Sequence, residues 1–352
     1  MKLTDFRTLG RSGLIVSPLS LGTMTFGTPR WGSPDDVSES IFNEYVDAGG
    51  NFIDTADVYS GGRSEELVGQ YTASRKLRDQ LVLATKFTFG AVRGNPNASG
   101  NGRKNMQRAL EGSLRRLHTN YIDLYWMHAW DSVTPVEEVV QSFGDLVRAG
   151  TIRYYGFSNV PAWYLARAAT LAAENGLPGP VALQAQYSLV ERSLEQEYVP
   201  AAKACGIGIT PWSPLGAGFL SGKYSRESAG ASPTQAGAAG RLSGPNPFGD
   251  TKFTEHNWQV LDAVQEIAAE VERPPAQVAL AWVLAQPGVT APIVGASKLA
   301  QLHDSLSALE LRLTPEQLKR LNDRSVLDPA HGMTKMLKNA VFGGASVQGW
   351  DD

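Results

Sequence analysis

Hydrophobic positions along the chain follow two alternating patterns. Short runs that are almost continuously apolar are each followed by a longer stretch in which apolar residues recur with a helical period. Near-continuous apolarity over a few residues is typical of strands that are covered on both faces, as in a parallel sheet. Eight such runs are predicted strands, at residues 19–26, 51–56, 81–87, 122–128, 152–158, 181–188, 206–213 and 291–297.

The stretches between these runs carry start and stop signals for helices. A proline at the first helical position, a polar residue before it and a glycine after the last turn mark both ends of a helix. These signals predict N-caps and stops at Ser33 and Gly49, at Thr134 and Gly150, and at Asn159 or Val160 and Gly176. Eight strands that alternate with helices predict either a closed (β/α)8 TIM barrel or a doubly wound sheet. The first strand leads into GTMTFGTPRWG, which lacks the GxGxxG pattern of a dinucleotide-binding doubly wound sheet, so the barrel is favoured.

Three segments lie outside this alternation. FRTLGRSGLIVSPLS predicts a β-hairpin with a Ser-Gly turn before the first barrel strand. Residues 214–253 form a long loop after strand seven, rich in Gly, Ser, Pro and Ala, which we expect on the active-site face of a barrel. Residues 327–352 show little periodicity and are interpreted as a surface tail on a single domain, residues 1–352, with its core at about 6–325.

Composition excludes several classes of protein. The net charge of -3 and the absence of a Lys/Arg-rich run argue against a nucleic-acid partner, and no apolar run is long enough to span a membrane. The lone cysteine, Cys205, can form no internal disulfide, and the first residues do not resemble a signal peptide, so we expect a cytoplasmic protein. Five scattered histidines without HExxH or CxxC predict no metal site, which argues against a metal-dependent hydrolase or lyase.

Titratable residues end three successive predicted strands. Asp54 ends the second, Lys86 the third and His128 the fourth, and Tyr59 follows Asp54 in the next loop. Chemistry in a TIM barrel sits at the carboxyl ends of the strands, so we expect these four side chains to meet at one rim. Taken separately, Asp54 with Lys86 could be a structural ion pair and His128 a core histidine. Four such residues at one rim favour a catalytic site.

The four residue types suit proton transfer to a carbonyl oxygen. Tyrosine has an ordinary pKa of about 10, and a neighbouring ammonium lowers the pKa of such a phenol. Asp54 would hold Lys86 charged, His128 would orient the carbonyl, and Tyr59 would protonate the developing alkoxide. None of the four can supply a hydride, so this chemistry needs a cofactor.

Three segments resemble the aldo-keto reductase superfamily: NFIDTADVYSGGRSEELVG, LVLATKF and IDLYWMHAWD. The similarity runs from about residue 6 to 325 and is to the branch related to the potassium-channel β subunits. The resemblance implies a (β/α)8 barrel that reduces aldehydes and ketones reversibly with a nicotinamide cofactor. It gives Asp54, Tyr59, Lys86 and His128 the roles of the family's catalytic tetrad.

The resemblance also implies a cofactor site. The positions that match the nicotinamide and pyrophosphate contacts of the family are Gly22, Thr23, Met24, Asp54, Ser158, Asn159, Gln184, Trp212, Ser213, Leu215, Gly216, Gly218, Leu220, Gly222 and Lys223. The positions that match the contacts of the adenosine 2′-phosphate are Gly295, Ser297, Lys298 and Gln301. A helix N-terminus with a lysine attracts an anion, so NADP(H) is favoured over NAD(H). The chain departs from the family at Lys298, where Arg is frequent, and at Ser305, where Asn often contacts the adenine.

The expected partner is a small-molecule carbonyl or alcohol. Trp31, Phe89 and Trp130 lie in predicted loops at the rim and are the expected substrate-binding residues, which suits a bulky ketone or aldehyde. The alternative function is a nicotinamide-sensing protein that resembles a channel β subunit and has little turnover. Neither the exact substrate nor the oligomeric state follows from the sequence.

Overall fold

The chain begins with a short antiparallel hairpin, and eight parallel strands follow it. A computed structural model describes residues 1–28, 31–90, 92–226, 242, 252–327, 340, 341, 343 and 345. In the hairpin, β1 (Arg7–Thr8) pairs with β2 (Ile15–Val16), as the sequence predicts. The parallel strands are β3 (Ser20–Gly22), β4 (Phe52–Asp54), β5 (Val82–Phe87), β6 (Ile122–Met127), β7 (Ile152–Ser158), β8 (Ala182–Gln184), β9 (Gly208–Ile209) and β10 (Ile293–Gly295).

The parallel sheet closes on itself. Its strand order is β10-β3-β4-β5-β6-β7-β8-β9, so consecutive strands are neighbours throughout. Backbone hydrogen bonds join β9 to the start of β10 and so close the ring. Thr290 N donates to Ile209 O at 2.8 Å, and Ile293 N donates to Pro211 O at 2.8 Å. The eight predicted strands and the (β/α)8 barrel are therefore confirmed, and the doubly wound alternative is wrong.

Helices cover the outside of the barrel. They are α1 (Asp35–Asp47), α2 (Arg63–Ser74), α3 (Arg103–Arg116), α4 (Val136–Arg148), α5 (Ala162–Glu174), α6 (Leu194–Cys205), α7 (Glu255–Glu270), α8 (Pro275–Leu284), α9 (Leu299–Ser307) and α10 (Pro315–Ser325). In α4, the buried residues Val136, Val139, Val140 and Phe143 recur at helical spacing and face the sheet. None of the helices in the described ranges is long and apolar enough to cross a membrane.

Three predicted helix starts are wrong by one or two residues. The N-cap residues are Pro34, Pro135 and Pro161 themselves, and no side chain caps these helices. Proline takes the extended backbone of an N-cap here, so the polar residue before it lies too far away to reach the first turn. The predicted stops are confirmed, because Gly49, Gly150 and Gly176 all have positive φ angles just after a helix.

The hairpin closes the amino end of the barrel. Its tip packs so tightly that a Cβ on Gly10, where φ is +61°, would lie 2.6 Å from Val181 O. Arg7 Nη1 donates to Thr290 O at 3.0 Å, just before β10. The buried apolar residues of the hairpin and of the barrel interior form one cluster: Leu9, Leu14, Val16, Phe52, Val82, Ala84, Leu124, Trp126, Ala182 and Ala291.

The long loop after β9 and the tail are described only in part. A short 3₁₀ segment, Gly216–Ser221, follows β9 at the carboxyl end of the barrel, where the sequence places the loop. Residues 227–241 and 243–251 of the predicted loop and most of the predicted tail, residues 327–352, lie outside the described residues.

Candidate active site

Four polar side chains meet at the carboxyl ends of β4, β5 and β6. Asp54 is the last residue of β4, Lys86 lies one residue before the end of β5, and His128 directly follows β6. Tyr59 begins the 3₁₀ turn that follows β4. Lys86 is fully buried and Asp54 is 2% exposed, so the ion pair lies beneath the rim. The structure therefore brings together the four residues that the sequence singles out.

The Lys86 ammonium has a partner for each of its three protons. It donates to Asp54 Oδ1, to Thr55 O at 2.7 Å and to the Tyr59 hydroxyl at 3.2 Å. Burial acts to lower the pKa of Lys86, but the charges and hydrogen bonds of Asp54 and Tyr59 outweigh it and raise that pKa above its ordinary value. Lys86 is therefore an ammonium that points at the tyrosine hydroxyl.

The second oxygen of Asp54 fixes the carboxylate in place. Gln184 Nε2, at the end of β8, donates to Asp54 Oδ2 at 3.0 Å. One oxygen therefore holds the ammonium and the other holds an amide from the opposite side of the barrel. This contact joins the proposed tetrad to one of the predicted cofactor-binding residues.

His128 lies against two aromatic rings. Its ring is 5.9 Å from that of Tyr59 and 4.7 Å from that of Phe89, measured between centroids, and both contacts are edge-to-face. Burial lowers the pKa of His128 well below 6.5, and the charge of Lys86 acts in the same direction. The imidazole is therefore neutral at physiological pH. Within the described ranges, Nδ1 of this ring has no hydrogen-bond partner.

Asn159 connects the predicted nicotinamide residues to the tetrad. Its Nδ2 donates to His128 O at 2.9 Å and to Ser158 Oγ at 3.0 Å, and its Oδ1 accepts from Trp212 Nε1 at 3.1 Å. Its φ of +50° lies in the left-handed region, which asparagine tolerates better than most residues. Both N–H groups and the oxygen of its amide have protein partners, which fix this side chain between His128 and Trp212.

The Gly-rich loop after β9 turns repeatedly through the left-handed region. Positive φ angles occur at Ser213, Gly216, Ala217, Gly218 and Gly222. The backbone N–H groups of Gly216, Gly218 and Gly222 donate within the loop, to Ser213 O, Leu215 O and Phe219 O, so the turns are closed by their own hydrogen bonds. A Cβ on Gly218 would lie 2.9 Å from Lys223 Nζ, so the amine lies directly against this loop. Leu215 is half-buried, whereas the Leu220 side chain is fully buried in the core, so Leu220 can offer a ligand only its backbone.

The start of α9 holds the residues predicted to bind a 2′-phosphate. Gly295 ends β10, and Lys298 is the exposed N-cap of the helix. Gln301 Oε1 accepts from Ser297 N at 2.8 Å and from Ser297 Oγ at 3.2 Å. A side-chain oxygen therefore occupies the place where these two groups could donate to an anion. Ser305 donates within its own helix, to Gln301 O at 3.0 Å.

The remaining predicted residues differ in their access to the rim. Thr23 is buried and its Oγ1 lies 2.8 Å from Ser64 Oγ, and Gly22 packs against Ile293. Met24 and Trp31 are half-buried. Phe89, whose ring packs on His128, is 44% exposed, and Trp130, two residues after His128, is 38% exposed.

Sequence reasoning missed Thr88 and Asn101, which hold His128 in place. Thr88 Oγ1 accepts from His128 N at 3.1 Å and donates to Asn101 Oδ1 at 2.7 Å. Asn101 Nδ2 then donates to Ala129 O at 2.9 Å. Thr88 has a φ of +130°, a strained value for a β-branched residue. A threonine directly after a strand that ends in Lys-Phe was a weak signal, and nothing local points to Asn101.

Asp57 is a third residue that the sequence did not indicate. Its backbone N donates to Lys86 O at 3.2 Å, so its backbone adjoins that of the buried lysine. Burial and the charge of Glu65 raise the pKa of Asp57 to about 7, against the opposing effect of Arg116 and Arg108. Among the described residues, Oδ1 of Asp57 has no hydrogen-bond partner.

The residues present fit a nicotinamide dinucleotide. The side-chain amides of Asn159 and Gln184 and the half-buried indole of Trp212 adjoin the tetrad. The Gly-rich loop follows Trp212 along the chain, and Lys298 lies at the N-terminus of α9, after the next strand. No group of three or more His, Cys, Asp or Glu in the described ranges is placed to hold a metal ion.

Comparisons with known proteins agree with this geometry. Residues 18–325 match the model of the Aldo/keto reductase family. The chain is 33% identical to a norsolorinic acid reductase of Aspergillus flavus over 90% of this chain and 80% of that protein. It is 33% identical to an NADP(+) aryl-alcohol dehydrogenase of Phanerodontia chrysosporium, over 88% of this chain and 83% of the relative. It is 37% identical to a putative voltage-gated potassium channel subunit beta of Schizosaccharomyces pombe, over 92% and 93%.

The family match covers most of the chain, and the relatives align over nearly all of it. Barrel, tetrad geometry and comparisons all lead to one assignment. The chain belongs to the aldo/keto reductase family.

Proposed function

We propose that this protein reduces aldehydes and ketones to alcohols with NADP(H), with Tyr59 as the proton donor. The observation that carries the proposal is the buried Lys86 ammonium, which donates both to Asp54 and to the Tyr59 hydroxyl. An ion pair that served only stability would have no need of a half-buried tyrosine as its third partner.

Proton transfer follows from this contact. The Tyr59 hydroxyl gives its proton to the carbonyl oxygen of the substrate as negative charge develops there. The Lys86 ammonium then stabilises the phenolate that remains, and Asp54 keeps the ammonium charged and in position. In the direction of alcohol oxidation, the same phenolate accepts the proton.

His128 acts as a neutral hydrogen-bond donor. Its lowered pKa keeps the ring uncharged, so it can orient and polarise a carbonyl oxygen without competing with Tyr59 as the acid. The edge-to-face contacts with Tyr59 and Phe89 fix the plane of the ring. Thr88 and Asn101 fix its backbone.

The cofactor residues of the proposal lie in one continuous row. When bound, NADPH would supply the hydride for the carbonyl carbon. Ser158, Asn159 and Gln184 are the residues proposed to bind its carboxamide, and Trp212 the residue proposed to contact its ring. The hydrogen bonds that Asn159 makes with Ser158 and Trp212, and that Gln184 makes with Asp54, support this by bringing these side chains to the tetrad. The loop from Ser213 to Lys223 suits its pyrophosphate. Lys298, the exposed N-cap of α9, is why we favour NADP(H) over NAD(H). Ser297 could donate to the 2′-phosphate only after its hydrogen bonds to Gln301 Oε1 are broken.

The walls of the pocket favour an aromatic substrate. Phe89 and Trp130, on either side of His128 in the loops after β5 and β6, expose large aromatic surfaces. Trp31, in the loop that follows β3, is half-buried. An uncharged, aromatic surface binds aryl aldehydes and ketones better than charged sugars. The names of two relatives, a norsolorinic acid reductase and an aryl-alcohol dehydrogenase, support this choice.

Replacement of Tyr59 by Phe tests the mechanism. We expect NADPH oxidation with an aryl aldehyde to fall by about 10²–10⁴-fold, because the proton donor is lost while the ring stays in place. NADPH binding, followed by fluorescence, should be retained, and the wild type should bind NADPH more tightly than NADH. Tyr121→Phe, on the chain that leads into β6 at the opposite end of the barrel, is the matched control. Full activity of Tyr59→Phe would overturn the mechanism.

A second function is favoured by one comparison. A relative that aligns over 93% of its length is named as a putative potassium channel subunit beta. In that case the chain would bind a nicotinamide cofactor and a membrane partner with little turnover. Recovery of a stable complex from detergent-solubilised membranes, together with no turnover over a panel of aryl and alkyl carbonyls, would support this function over carbonyl reduction.

A further inference from the structure

A second exposed tryptophan lies beside the substrate pocket. Trp163 is in the first turn of α5, directly after the β7 rim that carries Ser158 and Asn159, and it is 57% exposed. Its ring meets that of Trp130 edge-to-face, with centroids 5.8 Å apart and planes at 90°. The sequence analysis did not predict Trp163 as a binding residue, because its position is that of an ordinary residue of an amphipathic helix.

Both tryptophans have a further contact that holds them in place, Trp130 through its backbone and Trp163 through its ring. Trp130 N donates to Asn159 O at 3.3 Å, which ties this residue to the proposed nicotinamide site. Trp163 packs edge-to-face on Tyr164 at 5.7 Å, and Tyr164 is buried. The tryptophan pair is therefore continuous with the proposed active site and is not a separate surface feature.

The loop that carries Trp130 is braced by the next residue. Asp131 accepts hydrogen bonds from Val133 N, from Thr134 N and Oγ1, and from Asn101 N, at 2.7 to 3.0 Å. Although burial opposes it, these bonds lower the pKa of Asp131, so its carboxylate stays charged and bonded. A binding surface that is fixed before the ligand arrives loses little entropy when the ligand binds.

The charges around the tryptophan pair are all engaged. Arg167, one turn after Trp163 on α5, forms an ion pair with Glu137 on α4. The Asp131 carboxylate keeps its negative charge but is taken up by four hydrogen bonds from its own loop and from Asn101, so the two indoles are the apolar groups that this surface offers. Such a surface takes an uncharged aromatic ring in preference to an anion or a cation.

We propose that Trp130 and Trp163 form a second aryl subsite, which takes a further aromatic ring of a substrate whose carbonyl lies at Tyr59 and His128. The inference rests on the proposed function and extends it. It assigns specificity for two-ring or fused-ring aryl aldehydes and ketones to the β6 and β7 side of the rim. Trp163 is a specificity residue in this scheme and takes no part in proton transfer.

A matched pair of substrates tests the subsite. Benzaldehyde and biphenyl-4-carbaldehyde present the same carbonyl and differ by one ring. We expect Trp163→Leu to lower the ratio of kcat/KM for the two-ring over the one-ring aldehyde by about tenfold, mostly through KM, and Trp163→Phe to restore most of it. Phe6→Leu, which removes an aromatic ring that is 47% exposed next to the hairpin, should leave the ratio unchanged.

A binding measurement separates this inference from the proposed reaction. Isothermal titration calorimetry of biphenyl-4-methanol and benzyl alcohol with the NADPH-loaded protein measures their dissociation constants. Neither alcohol can react there, because the cofactor is already reduced. Tighter binding of the two-ring alcohol to the wild type, reduced in Trp163→Leu, would support the subsite even if no aldehyde were reduced. An unchanged ratio of kcat/KM, or equal losses for both substrates in a folded Trp163→Leu variant, would overturn it.

Discussion

The two ends of this barrel are built in opposite ways. At the amino end, the hairpin covers an interior of apolar side chains, with Leu9, Val16 and Phe52 fully buried. At the carboxyl end, the interior holds an ion pair, Lys86 with Asp54, that is almost completely removed from water. Apolar burial stabilises a fold directly, whereas a buried ion pair often contributes little net stability. The comparison indicates that the amino end supplies stability and the carboxyl end supplies chemistry.

The backbone shows the same division. Among the described residues other than glycine, positive φ angles on the carboxyl side occur at Ser60, Thr88, Ser132, Asn159, Ser213 and Ala217. The others, Lys76, His118 and Glu272, follow the last turns of helices, where such angles are common. Strain away from helix ends is therefore concentrated in the loops around the candidate site. Local strain of this kind persists only where the surroundings enforce it, and it is typical of functional sites.

The largest effect should come from breaking the buried ion pair. Lys86→Met leaves the Asp54 carboxylate buried without its cation, which costs about 3–5 kcal/mol of unfolding free energy. It also removes the group that stabilises the Tyr59 phenolate, so we expect a loss in kcat of about 100-fold or more. Urea unfolding and steady-state kinetics measure the two effects. Lys76→Met, an exposed lysine after α2, is the control and should alter neither.

An apolar truncation at the amino end should separate stability from activity. Leu9→Ala removes a fully buried side chain under the hairpin and should cost about 2–5 kcal/mol of unfolding free energy. Because Leu9 lies at the end remote from Tyr59, we expect kcat at 25 °C to stay within a factor of about two. Ile15→Ala, 46% exposed in the same hairpin, should cost much less. A large fall in kcat for Leu9→Ala would show that the two ends are coupled.

The smallest expected effect depends on pH. The folded protein raises the pKa of Asp57 to about 7, above the 3.8 of an ordinary aspartate, so protonated Asp57 favours the folded state. That contribution is complete below about pH 4 and is lost as the pH rises through 7. Asp57→Asn removes the dependence. Relative to the wild type, the variant should therefore gain on the order of 2 kcal/mol of unfolding free energy between pH 5 and pH 8.

Urea titrations at several pH values measure this gain, with Asp79→Asn as the control at an exposed carboxylate. A constant difference between Asp57→Asn and the wild type across this range would contradict the raised pKa. It would also mean that Arg108 and Arg116 compensate the Asp57 charge fully.

More of the fold than of the candidate site could be predicted from the sequence. Eight apolar runs were enough to find every barrel strand, because a strand buried on both faces leaves a strong local signal. Three helix starts were predicted one or two residues too early, because the sequence does not show that the proline itself takes the extended N-cap backbone. Asp54, Lys86 and His128 could be found because each one ends a strand.

Residues that act through distant partners left no such signal. Asn101 reaches Thr88, Ala129 and Asp131 from a loop whose path depends on the whole barrel. Asp57 looks like an ordinary polar loop residue until Glu65 and Arg116 from the neighbouring helices surround it. Trp163 could have been suspected from its place one turn after a strand that ends at the rim. The other two need three-dimensional packing to be recognised.

The hairpin has a consequence for the order in which the chain can fold. Its residues are synthesised before every barrel strand, yet its tip contacts Val181 and Gly206, and Arg7 donates to Thr290, 283 residues further along the chain. The hairpin therefore cannot complete its contacts at the base of the barrel until the chain through Thr290 has been synthesised. During translation, the strands that are already paired have an open base and unsatisfied apolar surface. The hairpin then closes the base of the barrel against the residues just before β10, as a late step.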